Sequence, residues 1–445
     1  METSLISRLH SFGAAEVIVN RDGRFTYADL LAQVEHWRQS LDQAGVGQGE
    51  VVMLEGPASP AACAALLALI ERNVIVVPLA PLPAAKTTEF REIAEAERVI
   101  TLTSGEIRST GVTANHALYE ELRGSGAPGL VLFSSGTTGR SKATVLNFEK
   151  VLARYGPPTK PQRTLAFLNL DHIGGINTLL HTISQGGCLI TIPERTAATV
   201  CSAIEEFQVQ VLPTTPTFLN MLLISGAHRR FDLRSLRLIT YGTEPMPLGT
   251  LQRLHDVLPD VRLKQTYGLS ELGILPTRSR SNDTLWVKLG GPGFEYEIRE
   301  GVLWIRSEMA MLGYLNAPAP FDAEGFFNTQ DAVEVDGDYV RILGRKSEII
   351  NVAGEKVYPS EVEDVLLDHP DIAEATVSGR PSPVTGMVVK AVVKTVAPIP
   401  DQRDLVQRIR AHCASRLESF KVPVIVEISD EDHHNDRFKK SRALG

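Results

Sequence analysis

From Val51 to Gly268 short apolar runs alternate with helical or loop stretches, and this alternation constrains the fold of the 445-residue chain more than any other feature. "VVMLEG", "VIVVPLAP", "ERVITLT", "GLVLFSS", "RTLAFLNL", "GGCLITI", "VQVLPTT", "LRLITYG" and "VRLKQTYG" are β-rich and read as strands. The stretches around them have helical character. In "TYADLLAQVEHWRQSLDQAGV" Leu30, Val34, Trp37 and Leu41 fall on one face, while "AACAALLALIERN" is apolar all round, as a buried helix is. Parallel strands need a crossover between them, so the pattern predicts mainly parallel sheets covered by helices.

After about Lys288 the texture changes to short strands and turns, "YEIREGVLWIRS" and "DAVEVDGDYVRILGR", which predicts a smaller, largely antiparallel region. Beyond Arg345, "SEIINVAGEKVYPSEVEDVLLDHPDIAEATVSG" reads as a strand, a glycine turn, a helix opened by Pro359 and Ser360, and another strand. "MVVKAVVKTV" and "LVQRIRAHCASRLESF" add a strand and a helix. The expected fold class is α/β: a large N-terminal domain over residues 1–345, of helix-covered mainly parallel sheets plus a small β-barrel-like region, then a small α+β domain over residues 346–445.

Composition narrows the function classes. The 45 Lys and Arg against 53 Asp and Glu leave a net charge of −8, which gives no general attraction to nucleic acid or anionic lipid. An anionic ligand therefore needs a local site. Cys63, Cys188, Cys201 and Cys413 are scattered, without metal-ligand or disulfide-framework spacing, and read as reduced core residues. The first twenty residues lack the pattern of a signal peptide, and the longest apolar stretch, Ala61 to Ile70, is far shorter than a membrane span, so a cytoplasmic protein is expected.

The stretch "LVLFSSGTTGRSKA" (130–143) is built to hold an anion: a strand, then hydroxyls and flexible glycines, then Arg140 and Lys142. Ser134, Ser135, Thr137 and Thr138 offer hydroxyl donors, the backbone around Gly136 can close on an anion, and Lys142 adds charge. Its glycine spacing, two residues from Gly136 to Gly139 and two more to Lys142, is not that of a Walker loop. "LRLITYGTEPMP" (236–247) and "LKQTYGLSELG" (263–273) follow, each a strand ending in Gly with Thr, Glu or Ser.

Together these stretches resemble the adenylate-forming superfamily of acyl-CoA synthetases, peptide synthetase adenylation domains and luciferases, whose usual pattern is a Ser/Thr/Gly loop, a "GGE" or "GEP" turn and "YGxTE". In the same order, "FFNTQDAVEV" is similar to that family's "TGD", "ILGRKSE" to its hinge and "VAGEKVYPSEVE" to its "GxxIxPxEVE" loop. The resemblance spans essentially the whole chain. It departs at Ser141 and Ala143 in the phosphate loop, at Gln330 for the Gly of "TGD", at Ser347 in the hinge and at Phe438.

The resemblance implies ATP-dependent activation of a carboxylic acid to an acyl-adenylate. Transfer to the thiol of coenzyme A follows, with carrier-protein phosphopantetheine as the alternative acceptor. Residues 1–345 are then the ATP- and acid-binding adenylation domain. The ring of Tyr267 stacks on adenine, Gln265 bonds its amine, and Gly242, Thr243 and Glu244 form the turn beside it, with Gly268 next to the ring. Asp331 takes the ribose hydroxyls, joined by Arg345, and Ser270 contacts the α-phosphate. Glu271 is the Mg2+ ligand, since a hard cation takes carboxylate and phosphate oxygens. "LDHIGGINTLL" puts His172 in the acid pocket, with Asp171 where the family usually has an aromatic residue. At the C-terminus "HHNDRFKKSRALG" stands for "NGKxxR", which makes Lys439, with Arg442, the catalytic lysine and Lys440 the alternative. The C-terminal domain is expected to be mobile, swivelling at Ser347 to exchange Lys439 for the loop around Gly354 between the two steps.

Overall fold

Local chemistry sets the helix starts. The computed structural model describes residues 5–134, 141–156, 158–434 and 440. Thr26 opens the helix Tyr27–Gln43 through a capping box: its hydroxyl accepts from the Asp29 amide (3.2 Å), and the Asp29 carboxylate accepts from the Thr26 amide (2.8 Å). Leu30, Val34, Trp37 and Leu41 are its buried stripe, as the spacing predicts. Ser59 caps the helix Pro60–Glu71, which has proline at the first helical turn and is buried from Ala62 through Ile70. Among the described residues no helix is long and apolar enough to cross a membrane.

Two seven-stranded sheets carry the N-terminal part. In the first, the order is Arg262–Gln265, Leu238–Tyr241, Val211–Thr214, Arg163–Leu165, Cys188–Ile190, Glu16–Asn20 and Gly23–Thr26. All its pairs are parallel except the last, a hairpin. In the second, Val51–Glu55 lies parallel to Ile75–Leu79 and Arg98–Thr101, and Ile75–Leu79 parallel to Gly129–Ser134. Gly129–Ser134 pairs antiparallel with Lys142–Asn147, the next strand in the chain, where a Walker loop would lead into a helix. The strands are all shorter than their sequence runs, and two are cut short by particular hydrogen bonds. "RTLAFLNL" pairs only over Arg163–Leu165, because the Phe167 amide turns back to the Leu165 carbonyl. "VRLKQTYG" splits at Thr266, whose amide (2.7 Å) and hydroxyl (3.0 Å) both donate to the Tyr241 carbonyl.

The smaller antiparallel region is a six-stranded sheet ordered Thr277–Ser279, Val287–Leu289, Tyr339–Arg345, Phe327–Asp336, Val302–Ser307 and Phe294–Arg299. From Ile350 the chain builds a further sheet, with the hairpin Ile372–Ser382/Gly386–Thr395 at its centre and Ile425–Ile428 added in parallel. The helices Pro359–Leu367 and Gln402–Ala414 pack on it. Val357, Val362, Leu366, Val377, Ala391, Leu405 and Ile409 form a core of their own there. All four cysteines are free and buried; three lie in N-terminal cores and Cys413 in this last one. Burial pushes the Cys63 thiol up to about 12 and the other three to about 11.

The C-terminal unit meets the N-terminal part at the helix Leu248–Val257. Asn220 donates to the Ala373 carbonyl (2.9 Å), and a Cβ at Gly249 would lie 2.1 Å from an Asp368 carboxylate oxygen, so a side chain there would require Asp368 to turn away. Beside it the Asp364 carboxylate accepts from the Leu248 amide; burial pushes this carboxyl up to about 7, against the pull of Lys440 and that amide and with help from Glu363 and Asp368. A carboxyl raised above its unfolded value binds more protons in the folded state, so stability contributed by Asp364 is present at pH 4 and is lost as pH rises toward 7. Replacing Asp364 by Asn is therefore expected to open a melting-temperature advantage over wild type that grows from pH 4 to 7 and then levels. Thermal unfolding across that range checks it; a pH-independent difference refutes it.

Candidate active site

The carboxyl ends of three neighbouring parallel strands line up, because Thr214 pairs with Tyr241 and Tyr241 with Gln265. The segments that leave them, Thr215–Thr217, Gly242–Glu244 and Thr266–Glu271, therefore share one edge, where open α/β sheets bind ligands. Packing keeps this edge tight. A Cβ at Gly242 would meet the Thr266 hydroxyl at 2.6 Å, and one at Gly268 the Gly273 carbonyl at 2.7 Å. Thr243 holds φ +73° and is exposed. A β-branched residue in that region is strained. Glu244 accepts the Thr217 amide at 2.7 Å.

Across this edge the hairpin Phe327–Asp336/Tyr339–Arg345 pairs Asp331 with Arg345. The Arg345 Nε sits 3.0 Å from Asp331 Oδ1, and the Tyr267 hydroxyl donates to Asp331 Oδ2 at 2.5 Å. Thr329 braces the group: its hydroxyl accepts from the Asp331 amide (3.1 Å), and its carbonyl accepts from Arg345 (2.6 Å). The intervening Gln330 has φ +61°, so the backbone keeps the left-handed conformation of the "TGD" glycine without the glycine. Asp331 is only 7% exposed. Burial and the Asp331 charge push the Tyr267 phenol far above its ordinary range, so it stays a donor. Burial opposes the charge on Arg345, and Asp331, Tyr267 and Glu271 outweigh it, raising the guanidinium further.

A second polar group lies beside the first. The Tyr314 hydroxyl donates to Glu271 Oε1 at 2.6 Å, and burial with the Glu271 charge pushes that phenol up. The Lys142 ammonium stands 5.1 Å from the centre of the Tyr314 ring, and Lys142 pairs with Ser134 in the strand register. Asn316 fixes the start of the Lys142 strand by accepting from the Ala143 amide (3.0 Å) and donating to the Ser141 carbonyl (2.8 Å). Gln265 is anchored by its backbone to Ser279 and Thr277, and its buried side-chain oxygen has no hydrogen-bond partner among the described residues. A buried acceptor of that kind suits a donor such as a ligand amine.

The structure thus brings Tyr267, Asp331 and Arg345 into one group, Glu271 and Lys142 onto the two sides of Tyr314, and Gly242, Thr243, Glu244 and Gln265 onto the shared strand edge, with Ser270 half-buried next to Glu271. His172 caps the helix Ile173–Ser184: its Nδ1 accepts from the Gly174 amide at 3.0 Å, which leaves the proton of the neutral ring on Nε2. Asp171 beside it is buried. Ser347 sits in an exposed helical turn just past Arg345, and Gly354, with φ +94°, at the exposed tip of a hairpin. Ser135, Gly136, Thr137, Thr138 and Lys439 lie outside the described residues. Tyr314, Thr329 and Asn316 are further members of the site. Of these only Thr329 had a signal, lying inside "FFNTQDAVEV"; a lone Tyr or Asn after a turn carries none.

Glu271 could hold a divalent cation only with help, because no cluster of three or more His, Cys, Asp or Glu residues suited to a metal occurs among the described residues. Its second carboxylate oxygen makes no hydrogen bond among them, which fits an ion whose other ligands are phosphate and water oxygens.

Residues 7–315 match the AMP-binding enzyme family, and residues 361–439 the AMP-binding enzyme C-terminal domain. Over 337 residues the chain is 30% identical to a long-chain-fatty-acid–CoA ligase of Yersinia pestis, covering 67% of this chain and 58% of that protein. Over 447 residues it is 28% identical to a feruloyl-CoA synthase of Amycolatopsis, covering 91% of this chain and 90% of that one. The fold is similar to that of the anthranilate CoA ligase AuaEII in complex with anthranoyl-AMP, with a TM-score of 0.82 at 19% identity over 98% of this chain and 95% of the other.

Proposed function

The chain belongs to the AMP-binding enzymes, and from that premise we propose that it activates a carboxylic acid in two steps. The acid's carboxylate attacks the α-phosphate of ATP, giving acyl-adenylate and pyrophosphate; a pantetheine thiol then displaces AMP and leaves a thioester. The buried Tyr267–Asp331–Arg345 group beside the Gly242–Glu244 turn is the observation that carries this reading. Asp331 Oδ2 accepts from the Tyr267 hydroxyl and Oδ1 is ion-paired with Arg345, and the carboxylate held in this way receives the ribose hydroxyls. The unpartnered Gln265 oxygen takes the adenine amine, and the Tyr267 ring lies against the base.

Ser134, Ser135, Gly136, Thr137, Thr138 and Lys142 take the phosphates, and Ser270 the α-phosphate. A Mg2+ held by Glu271 neutralises phosphate oxygens when bound. Lys439 supplies an ammonium to the charge that develops at the α-phosphate, and positioning does the rest, since no protein nucleophile is required. His172 borders the acid, its ring oriented by the bond that Nδ1 accepts from the Gly174 amide. Residues 346–445 turn about Ser347 so that Gly354 replaces Lys439 for the thiol step. The CoA ligases among the relatives favour coenzyme A over a carrier protein as acceptor.

A panel of fatty, aryl and amino acids, assayed with Mg-ATP for pyrophosphate and then for thioester with coenzyme A or a phosphopantetheinyl carrier, tests the proposal. Acid-dependent pyrophosphate release and a thioester on coenzyme A are expected. Pyrophosphate release from none of the acids would overturn it.

A further inference from the structure

Lys440 joins two separate elements. Its amide donates to Glu244 Oε2 at 2.9 Å, in the turn at the carboxyl edge of the first sheet, while its ammonium donates to Glu363 Oε2 at 2.8 Å, on the helix Pro359–Leu367. Both carboxylates are themselves held. Glu244 Oε1 accepts from the Thr217 amide, and Glu363 Oε1 accepts from the Val377 amide at 2.9 Å on the long C-terminal hairpin. The Glu363 side chain is 3% exposed and that of Lys440 17%. Lys440 also bridges His434 as a strand partner and lines, with Glu244, Glu374 and His433, a cavity of about 30 Å3 between the two bodies.

An ammonium committed to a buried carboxylate cannot also reach a phosphate. Withdrawing it costs the buried Glu363 carboxylate a charge contact, which a buried pair resists. We infer that Lys440 is a positioning residue: it clips the C-terminal segment between Glu363 and the Glu244 turn, and so sets where the adjacent Lys439 stands during adenylate formation. This rests on the adenylation reading above. It separates the two neighbouring lysines by role, one acting on the reacting phosphate and the other through the clip.

The test compares Lys440→Met, Lys440→Arg, Glu363→Gln and the double variant Lys440→Met/Glu363→Gln, first by acid-dependent pyrophosphate release and then by thioester formation from preformed acyl-AMP. Lys440→Met and Glu363→Gln should each lower kcat for pyrophosphate release about tenfold, with half-saturation by ATP little changed. The double variant should be no worse than either single one, since both break one pair. Lys440→Arg should recover most of the rate, and thioester formation from acyl-AMP should stay near wild type in all. A purely structural defect would lower both half-reactions. Independently of activity, spin labels at Gln252→Cys and Gln407→Cys, exposed positions on the two bodies, should give a broader distance distribution in Lys440→Met and Glu363→Gln than in wild type. The inference is overturned if Glu363→Gln keeps the wild-type rate while Lys440→Met loses a thousandfold, or if the distance distribution does not respond. Absence of pyrophosphate release by the wild-type enzyme would instead defeat the adenylation reading, and the distance measurement would still decide the clip.

Discussion

Replacing Asp331 by Asn is expected to raise the ATP concentration needed for half-maximal pyrophosphate release roughly 30- to 150-fold, corresponding to about 2–3 kcal/mol. Asp331 holds two donor groups at once, Tyr267 by a hydrogen bond and Arg345 by an ion pair. An amide offers one oxygen and turns its NH2 toward the other donor, so one of the two contacts becomes donor against donor and the guanidinium loses its countercharge. The half-exposed side of Arg345 keeps the cost at the lower end of the range for a buried pair. Half-saturation by the acid should move far less. Tyr267→Phe removes one hydrogen bond and leaves the ion pair, so it should cost about 1 kcal/mol. Separate titrations of ATP and acid decide the matter, and an unchanged ATP dependence in Asp331→Asn would take this residue out of the nucleotide site.

The second large effect is expected at Gly175, in the first turn of the helix that His172 caps. A Cβ there would lie 1.9 Å from the Asn169 carbonyl oxygen and 2.4 Å from its carbon, with the Leu168 carbonyl at 2.8 Å. These are backbone atoms, so no rotamer relieves the clash and either the helix start or the Leu168–Asp171 segment must move. Gly175→Ala should cost about 3 kcal/mol of stability, the upper end for overpacking. Because the displaced segment carries Asp171 and His172, half-saturation by the acid should worsen more than that by ATP, the reverse of Asp331→Asn. A variant with wild-type melting temperature and acid dependence would show that the close approach is absent in solution.

How far the sequence could be read depended on whether a feature is local. The Tyr27–Gln43 stripe, the Pro359 helix start and the strand alternation are properties of consecutive residues, and the fold follows them. The two strand ends set by particular hydrogen bonds were not legible, because the Phe167 amide and Thr266 hydroxyl choose partners that only the folded chain brings near. At the site, Tyr267, Asp331 and Arg345 were legible as members of ordered motifs, yet their direct hydrogen bonding was not. Gln330 shows the converse. It reads as a departure from a glycine pattern, while its backbone keeps the positive φ that glycine would supply. The Lys440 clip was hidden because Glu244 and Glu363 lie on different bodies and far apart in the chain.

The buried cysteines have a consequence for how this molecule comes apart. With the thiols shut away from solvent and held above their ordinary pKa, none presents a thiolate to an alkylating reagent while its surroundings stay closed. Cys63, Cys188 and Cys201 are embedded in the N-terminal cores and Cys413 in the C-terminal one. The chain therefore carries its own tamper seals, one on the small body and three on the large, and which seal is broken names the body that opened.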